Sequence, residues 1–129
     1  DCSDNFETRH LINRLCVAHR VPLVSGAAIR FDGQISVFDK RHDDSPCYAC
    51  LFPPDSNFTN EPCSTLGVFA PLVGIIGAIQ AAEALKMIAR MGEPLMGRLL
   101  MLNARTMNWQ SIELQRNIKC PVCASALLV

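Results

Sequence analysis

The sequence has no block of basic residues, and its 12 lysines and arginines are matched by 12 aspartates and glutamates. The electrostatic footprint of a nucleic-acid binder is therefore missing. No secretory leader pattern is visible. The longest apolar run, Leu66 to Ile79, is interrupted by Pro71, Gly74 and Gly77, and it is too short to span a bilayer. A small-residue-rich helix, mostly buried, is the better reading. There is no internal repeat, no low-complexity tract and no G-x-G-x-x-G phosphate-binding turn. These absences speak against nucleic acid and membrane as partners. They also mean that a complete nucleotide site is not encoded in these residues.

What is present begins with cysteine. There are seven among 129 residues, an odd number, and half of the sequence is hydrophobic. This length fits one domain with a core of its own. Two Cys-x-x-Cys pairs, Cys47-Tyr48-Ala49-Cys50 and Cys120-Pro121-Val122-Cys123, frame most of the chain. Two such pairs brought together make a tetrahedral tetrathiolate, the arrangement of a structural zinc site. Iron is the chemical competitor for that cage. Two local disulfides or two reactive dithiols are the other readings. With no sign of secretion, the cysteine usage favours a reducing cytoplasm over a disulfide framework. The wide separation of the pairs makes the ion a tertiary clip that pins the tail to a mid-chain loop.

Periodicity predicts a helix from Asp4 to about His19, with Leu11, Ile12, Leu15 and Cys16 on its apolar face and Arg9, Asn13 and Arg14 off it. Asp4 and Glu7 have the spacing of a capping box. Val21 to Phe31 and Gln34 to Phe38 read as strands, with Asp32-Gly33 as the hairpin turn. Phe52 to Thr65 has no periodicity and holds Cys63; irregular segments of that length inside a compact domain are usually functional or disordered. A helix then runs from about Pro71 to Arg90, with Gln80, Glu83, Lys86 and Arg90 as a narrow polar stripe. A glycine stop follows it. Arg98 to Asn103 and Asn108 to Leu114 read as two more strands. Asp1-Cys2-Ser3-Asp4-Asn5 reads like the middle of something, with a strand expected before it.

In this order, the segments resemble the MoeB/ThiF family of ubiquitin-activating-like adenylyltransferases. The resemblance is carried by Asp1-Cys2-Ser3-Asp4-Asn5 and by Pro22-Leu23-Val24-Ser25-Gly26-Ala27-Ala28 leading to Gly33-Gln34-Ile35. It continues through Cys47-Tyr48-Ala49-Cys50-Leu51, Cys63-Ser64-Thr65-Leu66-Gly67-Val68, Glu83-Ala84-Leu85-Lys86 and Cys120-Pro121-Val122-Cys123. It covers nearly the whole chain. It implies an α/β fold: the C-terminal part of a Rossmann-like sheet extended by antiparallel strands, with two main helices and a tetracysteine zinc clip. Residues 1–129 would then be a single incomplete domain without the ATP-binding half. The resemblance further implies ATP and magnesium as cofactors and a homodimer. The partner it implies is a ubiquitin-like sulfur-carrier protein (ThiS- or MoaD-like), whose C-terminal Gly-Gly is adenylated for thiamin or molybdenum-cofactor synthesis.

Two residues carry the expected chemistry. Asp4 matches the family's catalytic aspartate near magnesium and the ATP phosphates, and its place between a presumed strand and a helix is where α/β folds bind ligands. Its bland reading is a helix cap. Cys63 matches a cysteine that links to the carrier through sulfur in ThiF-like members and is dispensable for adenylation in MoeB-like ones; its bland reading is an apolar filler. Its position ahead of a helix N-terminus would favour thiolate. Cys47, Cys50, Cys120 and Cys123 are the metal ligands. Cys2 and Cys16 read as structural, and Met87 and Met91 as core. His10, His19 and His42 read as solvated or locally bonded. Trp109 reads as part of a subunit contact. The second functional class is a noncatalytic zinc-stabilised module that docks a ubiquitin-like tail.

Overall fold

The computed structural model describes residues 1–56 and 63–124. Four strands form one sheet in the order β1 (Leu23–Ile29), β2 (Asp32–Phe38), β3 (Arg98–Asn103) and β4 (Asn108–Glu113), with antiparallel neighbours throughout. Isolated parallel bridges join Arg30 to Val68 and Val37 to Met96. The helices are α1 (Phe6–Ala18), α2 (Tyr48–Leu51), α3 (Cys63–Leu66) and α4 (Ala70–Ala89). Strand alternation sorts the two faces. Leu23 and Phe38 pack with Tyr48 beneath Ile12 and Cys16 of α1, whereas Ile35 and Val37 pack with Val24, Ile79 and Met87 on the α4 side. Leu72 and Ile76 of α4 close the far end on Leu102.

The hairpin turns two residues earlier than Asp32-Gly33. Ile29 pairs with Asp32, so Arg30 and Phe31 form the loop, with Arg30 left-handed at φ 51°. Asp32 is already in the ladder, paired with Asn103. Gly33 has another reason to be glycine, since a Cβ there would come within 2.8 Å of Ile76 Cδ1. It lets α4 lie close on the hairpin.

Helix α1 starts at Phe6, and its cap is Asn5, whose side chain accepts from Thr8 N at 2.8 Å. The capping-box reading of Asp4 is thereby corrected. The expected faces are also mixed. Ile12 and Cys16 pack inward, but Leu11 and Leu15 are about half exposed, while Arg9, Asn13 and Val17 are buried. The buried polar pair finds partners that no solvent-facing position would offer.

Helix α4 departs further from expectation. Its buried residues are Leu72, Ile76 and Glu83, while Val73, Leu85 and Ile88 are exposed, the last at 80%. The expectation of a mostly buried helix is therefore wrong; of its polar stripe, Glu83 is buried, Gln80 and Lys86 are half-buried and Arg90 is exposed. Glu83 accepts from Leu95 N at 2.8 Å and pairs with Lys86 at 2.5 Å, tying the following loop to the helix. Gly74 and Gly77 meet nothing within 4 Å, so the small residues mark no close approach among the described residues. By length and composition alone α4 could cross a membrane. Arg90 rather than glycine provides its left-handed cap. Strands β3 and β4 lie where the sequence placed them. The irregular segment read from Phe52 to Thr65 falls in part on residues 57–62, outside the described residues; from Cys63 it gives way to α3.

Candidate functional site

The four paired cysteines converge. Cys47 precedes α2, Cys50 lies in its single turn, and Cys120 and Cys123 come from the turn after Asn117. All four sulfurs lie within 4.8 Å of one another. Cys47 to Cys120 is 3.7 Å, Cys50 to Cys123 is 3.5 Å and Cys47 to Cys50 is 4.0 Å. A tetrahedron with metal–sulfur bonds of about 2.3 Å has edges of about 3.8 Å, so the donor set fits a metal ion. Cys47, Cys50, Cys120 and Cys123 are free thiols, which sets aside the reading of two local disulfides. Hydrogen bonding from Cys47 holds the Cys50 thiol down at about 4, the same bond and burial push Cys47 up, and burial pushes Cys123 up. One thiolate forms readily and then opposes the others. A divalent cation is what lets all four ionise.

Asn13 braces this cage from α1. Its amide donates to Cys47 Sγ at 3.7 Å and accepts from Tyr48 N at 3.0 Å. Val17, one turn on, packs against Cys47, Cys120 and Cys123. Arg116 donates to the Cys123 carbonyl at 3.1 Å.

Next to the cage, a cleft of about 460 Å³ runs along β1 between the segment 2–6 and α4. Asp4, Cys2, Arg9, Tyr48 and Gln80 line it, and Asp4 is exposed there. Tyr48 links the two features, since it follows a cage cysteine and faces the cleft. Arg9 is buried and donates to the Ser3 carbonyl, to Gly26 O at 3.2 Å and to Ser25 Oγ at 3.4 Å. Asp1, whose side chain is 1% exposed, lies 4.0 Å from the same guanidinium and accepts from Ser3 N at 2.8 Å. The loop bearing Asp4 is thus held by a buried charge pair in addition to the main-chain bonds of Asp1 to Val24 and Gly26 of β1.

Several sequence readings change here. His10 is buried, edge-on to Tyr48, with Nδ1 lacking a hydrogen bond; burial and then Arg14 hold its pKa below the ordinary value. Cys2 is exposed and donates to Gln80 Oε1 at 3.5 Å, whereas Cys16 packs inward as expected. Met87 packs in the core but Met91 is exposed. His42 lies beside Asp39, away from the sulfurs. Trp109 is 39% exposed on the edge strand. Cys63 opens α3 itself instead of preceding a long helix; a single turn carries little of a macrodipole. Its thiol lies outside the described part of the structure.

The family model described as "ThiF family" matches residues 1–122. The chain belongs to the ThiF family. It is 47% identical over 126 residues to the molybdopterin-synthase adenylyltransferase of Escherichia coli (strain K12), covering 95% of this chain and 49% of that protein. It is 42% identical over 127 residues to the sulfur carrier protein adenylyltransferase of Thermus thermophilus, covering 95% and 47%. The chain therefore spans about half the length of these relatives. Among solved structures, E. coli MccB with MccA-N7isoASN superposes with a TM-score of 0.76 at 19% identity, over 95% of this chain and 39% of that one, a likeness of fold. The ThiF-type α/β architecture and the four-cysteine cage read from the sequence are both present.

The residues that sequence reasoning missed are Arg9, Asn13 and Gln80. Arg9, Asn13 and Val17 share a helical face at i, i+4 and i+8. That spacing was the available signal, and the polarity of two of the three members obscured it.

Proposed function

We propose that this chain supplies one side of the catalytic centre of an ATP-dependent adenylyltransferase that activates the C-terminal Gly-Gly of a ubiquitin-like sulfur-carrier protein. The carrier's terminal carboxylate attacks the α-phosphorus of ATP, pyrophosphate departs, and an acyl adenylate results. The observation that carries this reading is the cleft lined by Asp4, in a chain of this family. Asp4 offers an exposed carboxylate beside a loop held by buried Arg9. One carboxylate together with substrate phosphates is a common way to hold magnesium. When bound, the ion would neutralise phosphate charge during the attack. Cys63 links to the carrier through sulfur if the protein acts as ThiF-like members do, and is dispensable for adenylation if it acts as MoeB-like ones do.

The cage metal in this reading is zinc. A buried, all-thiolate, closed donor set suits a structural ion, and metal analysis separates zinc from iron. The protein works as a cytoplasmic homodimer, which sedimentation of the natural protein checks. The carrier serves thiamin or molybdenum-cofactor synthesis, and exchange assays with one carrier of each kind separate the two.

The deciding experiment is Asp4→Asn in the natural protein, assayed by carrier-dependent ATP–pyrophosphate exchange. Because Asn5 is the cap, the fold and melting temperature should stay unchanged. Exchange should fall by about 100-fold or more, since a held cation contributes several kcal/mol and each 1.4 kcal/mol is tenfold in rate. Near-normal exchange would reduce Asp4 to a loop residue. Loss of exchange in the unmodified protein, with carrier still bound, would leave the noncatalytic docking module as the reading.

A further inference from the structure

The geometry assigns a positioning role to Gln80: from α4, its side-chain amide sets the backbone of the Asp4-bearing loop against β1. This rests on the reading of Asp4 given above. Gln80 Nε2 donates to the Asp1 carbonyl at 2.8 Å and lies 3.4 Å from Val24 O, while its Oε1 accepts from Cys2 Sγ at 3.5 Å. The Asp1 carbonyl also accepts from Gly26 N at 3.3 Å, and Asp1 N donates to Val24 O at 2.8 Å. One side chain therefore grips both the start of the loop and the strand beneath it.

The grip depends on a glycine. A Cβ on Gly26 would lie 2.5 Å from Gln80 Cδ and 2.6 Å from its Oε1, so the amide occupies the space where another residue would carry its side chain. Arg9 holds the same loop from the opposite sheet face through the Ser3 and Gly26 carbonyls. Together, α1 and α4 clamp residues 1–3, and Asp4 follows directly. A carboxylate that must meet a phosphate-bound cation needs this kind of fixed backbone, because a displacement of about 1 Å at a reacting group can lower a rate ~100-fold. Gln80 acts through Asp4 and requires no contact with substrate.

The test uses Gln80→Leu, which keeps bulk over Gly26 but removes the donor, and Gly26→Ala, which displaces the amide while leaving it in the chain. Both are made in the natural full-length protein and assayed by ATP–pyrophosphate exchange with a ubiquitin-like carrier ending in Gly-Gly. Each should lower kcat roughly 10- to 100-fold, leave the KM for ATP within about twofold, and leave most of the melting temperature intact. The double variant should be little worse than either single one, because both remove the same contact. Normal kcat in Gln80→Leu, or full additivity in the double variant, overturns the assignment while leaving Asp4→Asn free to collapse exchange. If Gln80→Leu does not fold, Gly26→Ala decides alone. Near-normal exchange in Asp4→Asn overturns the functional reading and the role of Gln80 with it.

Discussion

Replacing Cys120 with serine should empty the metal cage and remove a large part of the protein's stability. The four sulfurs come from two segments 73 residues apart, Cys47 with Cys120 and Cys50 with Cys123. In the described region, the tail around 117–124 is tied down mainly through this cage, Val17 and the Arg116 bond. Metal binding in such a site is folding free energy. Loss of an outer-shell partner weakens metal binding about 10- to 100-fold, so loss of a ligand should weaken it at least about 100-fold. At about 1.4 kcal/mol per factor of ten, that is about 2.7 kcal/mol or more. For a chain of this size it corresponds to a fall of roughly 10 °C in Tm. The assay is metal content by mass spectrometry alongside thermal unfolding of the reduced protein, with and without a strong chelator. One zinc per chain in the parent, well under one in Cys120→Ser, and a chelator effect confined to the parent are expected. Cys16→Ser, outside the cage, serves as the control for loss of a thiol. Folded, reduced, metal-free protein with the parent's Tm would refute the reasoning.

Three further outcomes are expected. Cys63→Ser should spare ATP–pyrophosphate exchange yet reduce sulfur transfer to the carrier; normal transfer in the variant removes the nucleophile role. Burial opposes the charge on Asp39, but the Arg41 fork at 2.7–3.1 Å outweighs it and holds the carboxyl below the usual range. The stability from this pair is therefore complete above the unfolded carboxylate value of about 3.9 and is lost as pH falls through the lower folded value. Urea midpoints between pH 2 and 6 should show a steeper acid loss in the parent than in Arg41→Gln. The 129 residues on their own, which include no glycine-rich phosphate turn, should give no exchange, and robust exchange would show that the cleft suffices by itself.

Much of this fold was legible because the signals are local or covalent in spacing. The paired cysteines gave the cage, alternation gave β2, and the run from about Pro71 to Arg90 gave α4 to within a residue at each end. What was not legible depended on partners distant in sequence. The hairpin turn shifted because Asp32 has a ladder partner in Asn103, 71 positions away. Glu83 of the α4 polar stripe is buried because it serves Leu95 N, in a loop that periodicity ignores. Arg9 looked solvent-facing because nothing local shows that Ser25 and Gly26 lie beneath it. Amphipathic reasoning assumes that polar side chains seek water. It fails where a backbone carbonyl or amide offers an equivalent partner inside.

These failures share a physical cause that bears on function. Four buried or half-buried polar side chains each bind a main-chain group of a segment that has little regular structure. Arg9 and Gln80 hold residues 1–3, Asn13 holds the junction at Cys47 and Tyr48, and Glu83 holds Leu95. Three of the four serve the segments carrying Asp4 or a cage cysteine. Loops cannot be positioned by ladder or helix bonds, and a buried main-chain polar group left unpaired is expensive. Side-chain donors on rigid helices answer both needs at once, and they fix a loop more tightly than apolar contact, which has no direction. The consequence is an asymmetry between the helices. The inward faces of α1 and α4 are more polar than their outer faces suggest, and substituting apolar residues there should preserve the fold better than the placement of Asp4 and the cage.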